Sequence, residues 1–310
     1  MTIKSKSNKK NNKGKLNTKK LLKKRIVKKT KFIGSGLDLI FGLIYLSSKY
    51  KNLDIPMKFK KSFGYKRDDF MNYGIRFDCE YYDKTQELIY PLYEKKFFNL
   101  IKNSKKRFVG IFLYIKWSCD QNDAHFNAIL FDRKNKTVER FEPYTKFNEK
   151  KYFSVSKKFD DIFTKSIKKN IDYKYIPPNN FCPKIGFQEK EENNILSVFT
   201  PSTVGNFDLE TDPGGFCGSW VLYYINLRVA NPNIDSHKLL KNIFKNLETD
   251  NHSFRTFIRN YSNFIYKERS KILKKYNKNS DNDYHNLHTL VENKFSVLIN
   301  RNNSYKKKKN

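Results

Sequence analysis

The stretch "DPGGFCGSWVLYYI", residues 212–225, decides the fold because it joins a glycine-rich turn to a run of bulky apolar residues. The run has no polar face, which predicts a helix that is buried on all sides. A cysteine inside such a helix is usually inert packing, whereas a cysteine at its first turn is poised for chemistry. Cys217 stands at that junction. The helix is expected to end near "VANPN", because Pro232 cannot continue it.

The residues around Cys217 favour the reactive interpretation. A thiol at a helix N-terminus lies where the macrodipole and the unpaired N–H groups stabilise a thiolate. Gly214, Gly215 and Gly218 allow close approach of the main chain, so that N–H groups near Cys217 can also face a developing oxyanion. The alternative is a thiol packed on a core helix. It accounts for the apolar residues but leaves the glycines without a purpose.

The composition predicts a globular body with charged ends. The chain has 310 residues, and 38% of them are hydrophobic and 16% aromatic, which suits a folded protein of enzyme size. The formal net charge is +32, and much of the excess lies in residues 1–31, which contain no acid, and in residues 301–310. We expect these two basic tails to be disordered. They are either solvated ends or segments that attract nucleic acid or another polyanion.

The cysteines and histidines suggest no metal, and we expect no cofactor. The four cysteines are far apart and form no C-x-x-C pair, which argues against both a disulfide framework and a four-ligand zinc site. The setting is therefore expected to be reducing. His285 and His288 could share one helical face, but no cluster of thiols or carboxylates accompanies them. The cysteines are Cys79, Cys119, Cys182 and Cys217.

An apolar segment follows the first basic tail at residues 32–48, "FIGSGLDLIFGLIYLSS". It contains Asp38 and Gly42 and falls short of the ~20 apolar residues that span a bilayer. The basic stretch before it is also longer than the corresponding part of a signal peptide. We interpret the segment as a buried helix, with no membrane span and no secretion.

The pattern along the chain predicts an α+β fold. Residues 32–104 are expected to form an accessory, mostly helical region, and residues 105–300 a core that ends in helices. Within the core, "RFVGIFLYIKW" is short, β-branched and aromatic, as in a buried strand. The segments "AHFNAILFD" and "TVERFEPY" follow as two strands around the polar turn "RKNK", which is typical of a hairpin. Strands with helices segregated around them indicate α+β.

The register of this hairpin determines which acid can contact His125. If the turn centres on residues 134–135, His125 lies opposite Glu142, Pro143 or Tyr144. Glu142 is then a direct or diagonal cross-strand neighbour, with Cβ atoms within ~4.5–8 Å. Asp132 lies on the same strand, roughly 23 Å away at ~3.3 Å per residue, and is excluded. His125 and Glu142 are therefore predicted to be close enough for the acid to orient the histidine as a base.

The segments "HFNAILFDRKNKTVERFEPY" and "DPGGFCGSWVLYYINLRVANPN" together resemble the adenovirus-protease and SUMO-protease clan of cysteine peptidases. They are most similar to thiol proteases of large cytoplasmic DNA viruses, including the asfarvirus polyprotein-processing protease and mimivirus-like enzymes. The resemblance covers roughly residues 107–232. It implies a papain-like or adenain-like fold, in which a central helix carries the cysteine and packs on a mixed sheet that carries the histidine.

The resemblance implies catalytic roles for three residues: Cys217 as the nucleophile, His125 as the general base and Glu142 as the group that orients the base. In asfarvirus relatives an Asn follows the histidine by about the same interval as the acid, and Asn127 is expected to support the site. The clan often has Trp after the histidine, where this chain has Phe126.

The oxyanion donor departs from the pattern of the clan. A Gln commonly precedes the cysteine by about six residues, but Thr211 and Asp212 occupy that neighbourhood here. An ionised Asp212 would repel an oxyanion, so its main-chain N–H or Thr211 is the better candidate. Gln188 in "IGFQEKE" could supply the amide if its loop folds back towards the site.

The leading functional hypothesis is a thiol endopeptidase that processes viral structural polyproteins during virion maturation, cleaving after small residues such as Gly-Gly. Its substrates would be viral precursor polypeptides, and its basic tails would contact nucleic acid or acidic core proteins. We expect it in the virion and in the viral factory of the host cytoplasm. Two alternatives remain: an isopeptidase that removes ubiquitin or SUMO from host proteins, and a basic nucleic-acid-associated core protein without enzymatic activity.

Overall fold

The structure is a computed structural model that describes residues 36–55, 74–78, 95–116, 124–144, 150–190, 216–249 and 254–275. These residues form helices on both faces of one mixed sheet. The α-helices are α1 (Gly36–Lys49), α2 (Lys95–Asn103), α3 (Lys150–Asn170), α4 (Cys217–Ala230), α5 (Ser236–Thr249) and α6 (Phe254–Lys275). The strands are β1 (Leu53–Asp54), β2 (Gly74–Asp78), β3 (Phe108–Lys116), β4 (Ala124–Asp132), β5 (Thr137–Phe141) and β6 (Lys174–Ile176).

The sheet has the order β1-β3-β4-β5-β6, and β2 also pairs with β3. Strand β3 is parallel to β1 and β2 and antiparallel to β4. Strands β4 and β5 form an antiparallel hairpin, and β6 adds to β5 in parallel. The hairpin therefore occupies the centre of the sheet, and its strand ends are where the site is built.

Both faces of the sheet are buried, which explains why β3 reads as a nearly continuous apolar run. Phe108 and Phe112 point to one core, which also contains residues of α1, α4, α5 and α6. Val109 and Ile111, alternating with them, point to a second core formed with α2 and α3. The sheet is thus a middle layer between two layers of helices.

Helix α4 is buried along almost its whole length, as its sequence predicts. The Arg228 guanidinium donates two hydrogen bonds of 2.9 Å to the Glu139 carboxylate of β5. Tyr224 donates its hydroxyl proton to the same carboxylate at 2.5 Å and stacks its ring on Phe141, with centroids 4.3 Å apart. These contacts hold the C-terminal half of α4 against β5.

The structure confirms the α+β class and the central arrangement, a helix that begins at the cysteine and packs on a mixed sheet. The strand predicted after residue 106 and the hairpin around "RKNK" are present, and α4 ends at Ala230 as expected. Asp132 does lie away from His125. It forms an ion pair with Arg107, at 2.8 Å, and accepts hydrogen bonds within the hairpin turn.

The described parts of residues 32–104 join the same body as the rest of the chain. Helix α1 is the buried helix predicted from the apolar segment, and its side chains share one core with α4. Strands β1 and β2 extend the sheet. Where domain boundaries fall stays a prediction. The basic tails, His285 and His288 lie outside the described residues, and among the described helices none is long and apolar enough to cross a membrane.

Candidate active site

Cys217 is the first residue of α4. Its side chain is a free thiol that is partly exposed, whereas Phe216 before it and Gly218 after it are buried. The first main-chain N–H groups of a helix have no partner within the helix, and they bear the positive end of the helix dipole. The sulfur is therefore accessible at the end of α4 that favours negative charge.

His125 lies near the start of β4 and is 3% exposed. The last pair of the β4–β5 ladder is Ala128–Phe141. Beyond that pair, His125 lies three residues further along β4 and Glu142 is the next residue after β5. His125 Nε2 is 2.5 Å from Glu142 Oε1. The hairpin thus brings together the histidine and the acid that its register predicted to be neighbours, and the structure confirms this contact.

The imidazole of His125 also lies close enough to the Cys217 side chain for the two groups to interact. Because Nε2 faces Glu142, Nδ1 is the ring nitrogen left for the sulfur. Burial by itself lowers the pKa of His125, but the nearby Glu142 carboxylate and the Cys217 sulfur outweigh it and raise the pKa to about 10. The raised pKa favours transfer of the thiol proton to His125, and the imidazolium that results beside the sulfur stabilises negative charge on it.

Glu142 is itself held in place by the main chain and by a cation. The N–H of Tyr144 donates a hydrogen bond of 2.9 Å to Oε1, the oxygen that faces His125. The Arg140 guanidinium lies 3.9 Å from the other oxygen, Oε2. Glu142 is only 5% exposed, so water screens the attraction between its carboxylate and the Arg140 guanidinium only weakly. The ring of Tyr144 also packs edge-on against His125, with centroids 6.3 Å apart.

Arg140 is the centre of a buried polar network that sequence reasoning missed. Its guanidinium donates to Asn127 Oδ1 at 2.6 Å, to Ser156 at 2.9 Å and to Asp160 at 2.9 Å. Asn127, predicted to support the site, therefore contributes by fixing Arg140. The spacing could have revealed the network, because Arg140 precedes Glu142 by two residues and so shares its side of the extended chain.

Two further residues contact the chain at or next to Glu142. The thiol of Cys182 hydrogen bonds with the main chain of Glu142, and burial raises its pKa to about 12, so this second cysteine is not a nucleophile at neutral pH. Gln188, a candidate oxyanion donor, is buried and donates its main-chain N–H to Pro143 at 3.0 Å. The segment that carries Gln188, which is helical at residues 187–190, therefore contacts the residue next to the acid of the site.

The other predicted oxyanion donors, Thr211 and Asp212, lie outside the described residues, as do Gly214 and Gly215. Phe126, which stands where the resembling clan often has Trp, packs against Tyr114 with ring centroids 5.1 Å apart. Among the described residues, no group of three or more His, Cys, Asp or Glu side chains could hold a metal ion. The site therefore offers the chemistry of a thiol next to an imidazole that is in turn held by a carboxylate.

No protein-family model matches the chain. A protein of Acanthamoeba polyphaga mimivirus, whose name describes it as an ankyrin repeat protein, is 30% identical over 281 residues, which cover 82% of this chain and 35% of the relative. The chain thus spans about a third of the length of the curated relative it matches.

Solved structures of similar fold include the Chlamydia trachomatis effector Cdu1 bound to ubiquitin, with 12% identity, a TM-score of 0.38, and coverage of 77% of this chain and 93% of that one. The C-terminal Ulp1 protease domain in complex with Smt3, the yeast ortholog of SUMO, has 13% identity, a TM-score of 0.30, and coverage of 80% and 93%. Both TM-scores are low, so the assignment of chemistry rests on the side chains of this chain.

Proposed function

We propose that the chain is a cysteine peptidase in which Cys217 is the nucleophile, His125 the general base and Glu142 the residue that orients the base. The observation that carries this proposal is the position of one buried imidazole, which is hydrogen bonded to Glu142 at 2.5 Å and also interacts with the Cys217 side chain. A nucleophile, a base within reach of it and a third group that fixes the base are the components of covalent acyl transfer.

The reaction follows from these positions. The thiol proton passes to His125, and the sulfur attacks the scissile carbonyl carbon, so that a C–S bond forms and the carbonyl π electrons move to oxygen. N–H groups at the start of α4 stabilise that oxyanion. When the C–N bond breaks, His125 gives its proton to the leaving amine. A water that His125 then deprotonates attacks the thioester and releases the acid and the Cys217 thiol.

We further propose that the substrates are viral structural precursors cleaved during virion maturation, after small residues such as Gly-Gly. The mimivirus origin of the 30% identical relative supports a viral setting. A formal charge of +32 supports contact with nucleic acid or acidic core proteins in a virion or viral factory, since such a charge attracts polyanions. The resemblance of the two motif segments to viral thiol proteases supports the substrate class.

The test compares cleavage of a Gly-Gly-X peptide by the wild-type chain and by Cys217→Ala, Cys217→Ser and Cys182→Ala. Cleavage should disappear in both Cys217 variants and persist in Cys182→Ala, which is the matched control because it removes the second described thiol near Glu142. Near-ultraviolet circular dichroism should show that all variants keep the fold. Cleavage by folded Cys217→Ala at the wild-type rate would refute the peptidase proposal.

The alternatives predict other results. If the wild-type chain reacts with a ubiquitin or SUMO probe bearing a C-terminal electrophile and leaves the Gly-Gly-X peptide uncut, it is an isopeptidase and the precursor-processing proposal is wrong. If a thiol-reactive reagent at neutral pH modifies Cys217 no faster than a free cysteine, and salt-sensitive binding to nucleic acid is the dominant activity, the chain is a non-enzymatic basic protein.

A further inference from the structure

Helix α1 packs closely against the nucleophile helix α4 beside Cys217. A Cβ atom added to Gly218 would lie 2.5 Å from Leu39 Cδ2, 3.0 Å from its Cδ1 and 3.3 Å from its Cγ. Rotation of the leucine methyl groups cannot clear all three atoms, and Leu39 is fully buried, so it has little room to move. Only glycine fits at residue 218 while Leu39 keeps its present position.

A second contact of the same kind lies one turn further along both helices. A Cβ atom on Gly42 of α1 would lie 2.8 Å from Leu222 Cδ2 and 3.1 Å from Leu222 Cγ. Each helix thus presents a glycine to a leucine of the other, in reciprocal pairs. Such contacts let two helix backbones approach closely and fix their relative position along the helix axes.

Helix α6 holds the residues on either side of this contact. The Arg255 guanidinium lies over the ring of Phe216, 4.5 Å from its centroid, which is a favourable cation–π distance. The hydroxyl groups of Ser262 and Ser219 are hydrogen bonded at 2.8 Å, and both serines are buried. The residue before Cys217 and the second residue after it are therefore both held by α6.

Helices α1 and α6 are also joined to each other. Asp38, the acid inside the apolar segment, is 1% exposed and forms an ion pair with Arg269 of α6. Tyr45 of α1 and Phe264 of α6 also pack edge-on, with ring centroids 5.6 Å apart. The pair therefore meets the first turn of α4 as one connected unit.

We propose that α1 and α6 form a clamp that sets the position of the Cys217 sulfur relative to His125, with Leu39, Gly218 and Ser262 as positioning residues. This inference rests on the proposed function and assigns a role within the site to the N-terminal segment. Displacement of a reacting atom by about 1 Å can lower an enzymatic rate by about a hundredfold, because the reacting groups lose their alignment. The clamp contacts the residues on both sides of the nucleophile, where such a displacement would matter most.

The first experiment measures the second-order rate constant for alkylation of Cys217 by iodoacetamide across pH 5–9, resolved by peptide mass spectrometry, in the full chain. Gly218→Ala should lower this rate constant at least tenfold and alter its pH profile, because the added methyl group pushes α4 away from α1. Leu39→Ala makes room for that methyl group. The double variant should therefore recover most of the wild-type rate, which a merely destabilising change would not do.

A milder pair of variants keeps the inference testable should Gly218→Ala fail to fold. Ser262→Ala removes one buried hydroxyl contact with α4 beside Cys217, and should lower the alkylation rate constant severalfold. Tyr50→Phe is its matched control, because it removes the 2.7 Å hydrogen bond from Tyr50 to Asn226, nine residues further along α4. It should leave the rate constant unchanged.

The outcomes separate this inference from the proposed function. Wild-type Cys217 that reacts no faster than a free cysteine defeats the proposed function itself. If wild-type Cys217 reacts rapidly but folded Gly218→Ala reacts equally fast, the peptidase proposal stands and the clamp is wrong. Equal losses in Ser262→Ala and Tyr50→Phe would also overturn the clamp, since they would show that distance from Cys217 is irrelevant.

Discussion

His125 Nε2 and Glu142 Oε1 lie 2.5 Å apart, although 17 residues separate them in the chain. The same carboxylate oxygen accepts the Tyr144 N–H, so the group that orients the imidazole is itself fixed by the main chain. The hairpin places both side chains at one end of the sheet, just beyond the last pair of its ladder. Fixed orientation of the base is the property on which the proposed mechanism depends.

Replacing Glu142 with Gln should lower kcat without much change in KM. The amide keeps the shape of the carboxylate but loses its charge, so it no longer stabilises the imidazolium that His125 becomes during the reaction. We expect a loss of about 10- to 100-fold, which is part of the ~10²–10⁴-fold that a positioned acid–base group contributes. Peptide cleavage under saturating substrate measures it. Asp132→Asn is the control, because Asp132 is an acid of the same hairpin that pairs with Arg107, and an equal loss there would contradict the assignment.

The raised pKa of His125 predicts that the folded protein loses stability as the solution becomes alkaline. The pKa is about 10 in the folded state and 6.5 in its ordinary, unfolded environment. The stabilisation is therefore fully present below pH 6.5 and is lost as pH rises through 10, at up to about 1.4 kcal/mol per pH unit for one proton. Urea unfolding at several pH values measures this slope. The His125→Gln variant should show a smaller slope of unfolding free energy against pH. An unchanged slope would mean that other groups cause the alkaline loss of stability.

Replacing Arg140 with Met should destabilise the fold and lower activity together. The half-buried Asp160 carboxylate and the buried Glu142 carboxylate would both lose the cation that lies between them. Breaking a buried charge network by removing one partner costs about 3–5 kcal/mol. Thermal unfolding and kcat are the two readouts. Ser156→Ala is the matched control, since it removes one hydrogen bond to the same guanidinium, worth about 1 kcal/mol, and should spare kcat. If folded Arg140→Met kept the wild-type kcat, Arg140 would have no role in the activity of the site.

The parts of the site that the sequence predicted are those set by local periodicity. A strand repeats every two residues and a hairpin turn fixes the register, so the pairing of His125 with Glu142 follows from counting residues across "RKNK". The burial of α4 and its start at Cys217 follow from an apolar run behind glycines. Each of these predictions uses only residues that are close in sequence or joined by a tight turn.

The contacts that escaped prediction join residues far apart in the chain. Asp38 and Arg269 pair across 231 positions, and no periodicity links a carboxylate in α1 to a guanidinium in α6. The contact of Leu39 with Gly218, which leaves no room for a side chain at residue 218, was not predicted either. Such contacts depend on how whole helices pack against each other. The spacing of residues in one sequence does not indicate which helices meet.

The Glu139–Arg228 pair, which fixes α4 on β5, should couple strongly in unfolding experiments. Glu139→Leu leaves a buried guanidinium without its counter-charge and should lower the free energy of unfolding by about 3–5 kcal/mol. The double change Glu139→Leu with Arg228→Met removes both charges, so its cost should be smaller than the sum of the two single changes. Urea unfolding of the four proteins gives this coupling energy, and strict additivity would show that the pair contributes no interaction.

The same pair also tests whether the two ends of α4 act independently. Arg228 lies about 16 Å along the helix from Cys217, at 1.5 Å per residue. The Glu139→Leu, Arg228→Met protein should therefore alkylate at Cys217 with the wild-type rate constant under conditions in which it is folded, even though it is less stable. A slowed reaction in the folded double variant would mean that the axial position of α4, set 11 residues away, also controls where the sulfur lies.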